Sequence, residues 1–143
     1  MATERRAEVV WQGDLLNGSG TIGVVGSGAF GPLDVSWASR AEEPNGKTSP
    51  EELIAAAWAS CFAMALSSGL AKAGTPPEKL ETSATVTFQP GEGITRGALT
   101  VRGTVPGLDA AAFAQAAETA KENCPVSMAL TGIPEITLDA QLA

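Results

Sequence analysis

Residues 55–66 read AAAWASCFAMAL and are apolar around the whole circumference of a helix, apart from Ser60. Surface helices carry an apolar stripe and a polar face; a helix without a polar face has to be covered by protein on every side. The signals that bound it are strong. Ser49 is placed to cap the first turn, Pro50 suits the first helical position, and Glu52 completes a capping box with Ser49. Lys72 and Gly74 mark the other end, a cation in the last turn followed by glycine. About six turns lie between these limits. The stretch is short for a membrane span and is closed off by charge. It therefore predicts a central core helix.

The rest of the chain supplies cover for that helix. Residues 7–12 and 21–25 read as short strands separated by a Gly-, Asp- and Asn-rich turn. Leu33, Val35 and Trp37 alternate with polar residues and predict a third strand that runs on to Arg40. Beyond the helix, residues 82–88 and 94–105 form a predicted hairpin. Asp109 caps a one-sided helix over 110–122. A short helix covers 126–130, and 135–142 alternates as a final strand with Ile136, Leu138, Ala140 and Leu142 inward. The expected class is α+β in the order β-β-β-α-β-β-α-α-β, with mainly antiparallel sheets wrapped around the long buried helix, as a single domain over 1–143. A chain of 143 residues with few aromatics has little with which to enclose such a helix alone. An intertwined homodimer is expected to complete the cover.

Composition removes most chemistries. The sequence has no histidine and no tyrosine, so Cys–His pairs, Ser–His–Asp triads and histidine-ligated metals are excluded. Two distant cysteines make no zinc site, and no Gly-rich loop has nucleotide-binding spacing; neither metal nor cofactor is expected. A net charge of −7 with scattered Lys and Arg argues against nucleic acid and anionic membranes as partners. The N-terminus lacks the apolar segment of a signal peptide, and the expected compartment is the cytoplasm.

The two cysteines remain. Alone, Cys61 at the centre of an apolar helix reads as an inert core thiol. Cys124 precedes Pro125 and so takes an N-cap position, where backbone N–H groups favour a thiolate. Brought together they would form a thiol couple, which their separation in sequence does not establish. By the same reading Arg40 is a solvated charge at a strand end, Glu51 a partner for the helix dipole, and Trp58 and Met64 packing residues.

With Pro50-Glu51-Glu52-Leu53-Ile54, Cys61-Phe62 and Cys124-Pro125-Val126-Ser127 in view, the chain resembles the osmotically inducible protein C (OsmC) and organic hydroperoxide resistance (Ohr) family of thiol peroxidases, and more closely its OsmC branch. The resemblance extends from Trp11-Gln12-Gly13-Asp14 to Ile136-Thr137-Leu138-Asp139. It implies that Cys61 is the peroxidatic and Cys124 the resolving cysteine, forming an intramolecular disulfide. It implies that Arg40 activates the thiolate and that Glu51, at the start of the central helix, orients the arginine. Glu51 and Cys61 lie about 15 Å apart along one helix axis, so Glu51 is expected to act across the dimer. An intertwined dimer, a hydroperoxide substrate and a dithiol reductant, lipoyl-linked by analogy with the family, are further implications. Trp58 stands where this branch often has histidine. An apolar lining of Trp58, Phe62 and Met64 favours organic hydroperoxides over hydrogen peroxide. The alternatives are a non-catalytic redox sensor and a ligand-binding module with the same cysteine pair.

Overall fold

A computed structural model describes residues 1–143. By its internal contacts the chain divides into two compact units, Met1–Glu51 and Glu52–Ala143.

The first unit holds an antiparallel three-stranded sheet of β1 (Val9–Gln12), β2 (Ser19–Ile22) and β3 (Leu33–Val35), with β2 in the middle. The turn between β1 and β2 forms because the Asp14 carboxylate accepts the Asn17 N–H at 2.7 Å. The predicted third strand ends early. Its alternation continues through Trp37, but the chain turns instead into a short helix, α1 (Trp37–Ala41). The cause is a reciprocal cap: the Ser39 N–H donates to Ser36 Oγ at 3.1 Å and the Ser36 N–H to Ser39 Oγ at 3.0 Å. Two orphan donors are satisfied this way, which outweighs one more strand residue. Arg40 therefore sits in the last turn of a helix, not at a strand end.

Helix α2 (Pro50–Lys72) begins at the proline and stops at the lysine as expected; its first two residues belong to the first unit. The second unit carries a sheet of β4 (Lys79–Gln89), β5 (Gly93–Thr104) and β6 (Glu135–Leu142), with β5 central. The β4–β5 hairpin is antiparallel with a bulge at Thr87/Phe88. β5 and β6 pair in parallel, from Arg96 opposite Glu135 to Gly103 opposite Leu142. A parallel neighbour requires a crossover, supplied by α3 (Ala110–Asn123) and α4 (Pro125–Ala129). Asp109 caps α3, its Oδ1 accepting from the Ala112 N–H at 2.8 Å.

The core of this unit gathers Trp58, Phe62, Leu66 and Leu70 from α2, Leu99 and Val101 from β5, Val105 just beyond it, Phe113, Ala117 and Ala120 from α3, and Cys124. The contribution of α2 recurs every four residues, one side of the cylinder. Thr82 Oγ1 donates to the Ala59 carbonyl at 3.2 Å and ties β4 to the helix. Away from this stripe α2 is open: Ala56, Ala57 and Ser60 are exposed, and Met64 is 73% exposed. Enclosure on every side, expected from the sequence, is not achieved by a single chain. By length and composition α2 could cross a membrane, but its buried stripe makes it the core helix of a folded unit.

Candidate functional site

The crossover brings the cysteines together. Cys124 is fully buried at the junction of α3 and α4, where its N–H closes α3 onto the Ala120 carbonyl at 2.9 Å. Pro125 opens α4 with the fixed φ that suits a first helical position. Cys61 is half-buried in the middle of α2. The two sulfurs lie 2.9 Å apart and both thiols are free.

Their environments differ. Burial pushes the Cys61 thiol above its ordinary range, the hydrogen bond with Cys124 adds to the rise, and the Val126 N–H offsets only part of it. Burial also acts to raise Cys124. There, the hydrogen bond with Cys61, the Ser127 N–H and hydroxyl, and the Val126 N–H outweigh burial, and the thiol lies below its ordinary range. The shared hydrogen can ride on either sulfur in the neutral pair. The opposite directions make Cys124 the more acidic of the two thiols.

Trp58 contributes more than packing. Its indole is fully buried, and its N–H donates to Ser127 Oγ at 2.7 Å. A buried indole N–H needs such a partner, and Ser127, three residues after Cys124, provides it. From sequence Ser127 stands in a motif without a role of its own, although a hydroxyl in the first turn after the cysteine and a tryptophan in an apolar helix both point to one. Phe62 joins the core beside the thiols as expected. Met64 does not line them. It points outward and borders an open cleft with Pro77, Glu78, Lys79 and Leu80, because it falls two residues from the Phe62 and Leu66 stripe and so on the far side of the helix.

In the first unit, Arg40 and Glu51 meet. The Ser39 hydroxyl donates to the Thr48 carbonyl at 2.9 Å, and the Thr48 N–H donates to the Asp34 carbonyl at 3.1 Å. These bonds hold α1 against the segment entering α2. The Arg40 Nε donates to Glu51 Oε1 at 3.0 Å and its Nη2 to Oε2 at 2.9 Å, a forked charge-assisted pair. The Glu51 side chain is 7% exposed and that of Arg40 33%. Glu51 thus holds an arginine of its own chain, as expected of the residue that orients Arg40.

Residues 43–139 match the family profile described as OsmC-like protein. Over 145 aligned residues the chain is 41% identical to peroxiredoxin OsmC of Escherichia coli (strain K12), covering 99% of both proteins. The chain belongs to the OsmC family. Solved structures agree on the fold. An organic hydroperoxide resistance protein OsmC from Legionella pneumophila superposes with a TM-score of 0.68 at 22% identity, over 96% of each chain. The organic hydroperoxide resistance protein OhrB of Bacillus subtilis gives 0.66 at 24% identity, over 96% of this chain and 98% of that one. Membership in the OsmC family accounts for the α+β architecture with its long apolar helix.

Proposed function

We propose that the chain is a thiol peroxidase that reduces organic hydroperoxides to alcohols, with Cys61 as the attacking and Cys124 as the resolving thiol. One observation carries this reading: the two cysteines, distant in sequence, hold their sulfurs 2.9 Å apart inside an apolar core. Its full-length relative bears the name peroxiredoxin.

The chemistry runs in three steps. The Cys61 thiolate attacks the distal oxygen of the hydroperoxide, the O–O bond breaks, and the alkoxide leaves and takes a proton to become the alcohol. Cys61 is then a sulfenic acid. The Cys124 thiolate attacks that sulfur, an S–S bond forms, the S–O bond breaks, and hydroxide leaves as water. A dithiol, of which a lipoyl-linked donor is one chemical form, restores both thiols by exchange. In the single chain burial disfavours the Cys61 thiolate, so the first step needs a cation. Arg40 fits that role: its guanidinium is held in place by the Glu51 carboxylate. Arg40 and Glu51 act as a unit from one chain.

The reading includes a cytoplasmic homodimer. Met64 on α2 and Val9, Val10 and Trp11 on β1 are exposed apolar side chains, of the kind that a second copy covers. Apolar walls from Trp58 and Phe62 favour organic over hydrogen peroxide.

The test is stopped-flow oxidation by cumene hydroperoxide, followed by mass measurement. Wild type should consume one equivalent and form an intramolecular disulfide. Cys124→Ser should stop at a sulfenic acid, and Cys61→Ser should not react. Consumption by Cys61→Ser but not by Cys124→Ser would reverse the two roles. Faster turnover of hydrogen peroxide than of cumene hydroperoxide would remove the substrate assignment.

A further inference from the structure

We propose that the hydrogen bond between Trp58 and Ser127 is a fixed strut that sets the spacing of the two sulfurs, which makes Trp58 and Ser127 positioning residues for disulfide closure. Closure as a step of turnover rests on the peroxidase reading above.

Helix α2 and the segment Cys124–Ser127 are joined at two neighbouring points. Cys61 and Cys124 meet sulfur to sulfur at 2.9 Å. The Trp58 indole N–H donates to Ser127 Oγ at 2.7 Å. Trp58 precedes Cys61 by three residues and Ser127 follows Cys124 by three, so on each side the two points lie about one turn apart on one face. The four side chains form a ladder of two rungs whose rails run in opposite directions. One rung is a reactive contact that shortens when the S–S bond forms. The other has no redox chemistry.

Both ends of the second rung are anchored. Trp58 is fully buried. Its six-membered ring faces Gly97 on the central strand β5, where a Cβ would begin 2.7 Å from Cζ3 and 2.8 Å from Cη2. The next residue of α2 is tied to β4 through the Thr82 hydroxyl and the Ala59 carbonyl at 3.2 Å. Ser127 is buried in α4, a helix of five residues that is too short to hold its own position. The Leu130 N–H bonds to the Ser127 carbonyl at 3.1 Å, and the Ile133 N–H to the Leu130 carbonyl at 3.0 Å. An indole N–H can only donate, and a buried one is costly to leave unpaired, so the bond is kept whether the thiols are free or joined. With α2 fixed to the sheet, the strut locates α4, and with α4 the sulfur of Cys124 at its start.

Disulfide closure is intramolecular, so its equilibrium and rate follow the effective concentration of one thiol at the other. With the strut in place the sulfurs are adjacent before the bond forms, and closure has little left to order. Without it α4 gains freedom in the dithiol form that the disulfide takes away again. Loss of the strut therefore weakens the disulfide relative to the dithiol and slows closure. The first attack of Cys61 on a hydroperoxide does not depend on where α4 lies.

The experiment uses Trp58→Phe, Ser127→Ala, the double variant and Ser127→Thr. Each protein is oxidised with diamide and equilibrated with mixtures of reduced and oxidised dithiothreitol, and the disulfide fraction is read by alkylation and mass. Trp58→Phe and Ser127→Ala should each lower the disulfide equilibrium constant about tenfold, a rise of about 30 mV in potential for this two-electron couple. The double variant should match either single one, because all three lose the same bond. Ser127→Thr keeps the hydroxyl and should restore the wild-type potential. A substitution that merely weakens the fold lowers both redox forms together and leaves this potential where it was. In stopped flow with cumene hydroperoxide, closure should slow in the same variants while the first oxidation keeps its rate. Unchanged or lower potentials in both single variants, additive shifts, no rescue by Ser127→Thr, or no disulfide in wild type after diamide overturns the proposal. Hydrogen exchange guards against misfolded variants: in protein with Trp58 and Ser127 intact, with indole signals assigned through Trp11→Phe and Trp37→Phe, the Trp58 N–H should be strongly protected in both the dithiol and the disulfide form. Rapid exchange in either form overturns the proposal as well. Failure of Cys61 to consume hydroperoxide would instead remove the peroxidase reading and leave the dithiothreitol equilibria standing.

Discussion

Replacing Gly97 with alanine is expected to destabilise the second unit through a single ring. Carbon atoms rest at about 3.5–4.0 Å from each other. The new Cβ would stand 2.7 Å from Cζ3 and 2.8 Å from Cη2 of Trp58, so the indole has to retreat by roughly 1 Å. Its other edge is held at 2.7 Å by Ser127 Oγ, and retreat compresses or breaks that bond. Overpacking a core costs about 1–3 kcal/mol, and a buried N–H without a partner about 1–3 kcal/mol more. The expected total is about 2–6 kcal/mol, on the order of 7–20 °C in Tm for a chain of this size. Urea and thermal unfolding measure it directly. The decisive comparison is with Trp58→Phe, whose shorter ring withdraws from β5. In that background the added methyl group should cost less than about 1 kcal/mol, which gives a coupling above 1 kcal/mol. A Gly97→Ala protein within about 0.5 kcal/mol of wild type, or costs that simply add, would refute the idea that the ring is wedged between β5 and Ser127.

Glu51→Gln removes the charge and one of the two oxygens well suited to the Arg40 fork. With a charge-assisted bond worth about 1.5–3 kcal/mol when buried and Arg40 partly exposed, the expected cost is about 1–2 kcal/mol, and Cys61 oxidation by hydroperoxide should slow roughly tenfold; an unchanged rate in stopped flow would sever Glu51 from the chemistry. The two thiols contribute oppositely to stability against pH. Cys61 is raised in the fold, so its contribution is complete below the unfolded thiol value and is lost as pH climbs through the folded value. Cys124 is lowered, so its contribution is complete above the unfolded value and is lost as pH falls through the folded one. Cys61→Ser should therefore flatten the alkaline decline of unfolding free energy relative to wild type, and an identical slope in urea titrations would contradict this. Met64→Glu places a charge on the open side of α2 and should yield monomers by light scattering; an intact dimer would move the interface elsewhere.

Much of the secondary structure could be read from the residues. The last strand was bounded without error because its alternation is clean over Glu135–Leu142, and α3 came within a residue because Asp109 caps it. The central helix was announced by Pro50 and Lys72. Its orientation was not legible, since a helix without a polar face has no phase, and Trp58 and Met64 look alike from sequence although one is sealed and the other faces outward. Helix α1 was missed because Leu33, Val35 and Trp37 extend a strand pattern past the Ser36–Ser39 cap that ends it. Alternation tells which face of β5 and β6 is buried but not that they run parallel. The approach of the sulfurs follows from that pairing, since the crossover it demands carries Cys124 back to α2. The resemblance of motifs, and not spacing, put Arg40, Glu51, Cys61 and Cys124 on one page.

The closeness of the sulfurs has a consequence for survival under heavy oxidant load. Bond formation from 2.9 Å asks for a stroke of under about 1 Å, with no helix to unwind on the way. Once Cys61 carries an oxygen, its neighbour is already within striking distance, and a second peroxide molecule has to outrun a reaction inside the same cage. On the peroxidase reading proposed above, hyperoxidation to sulfinic acid, the irreversible rung of the ladder, is disfavoured by proximity alone.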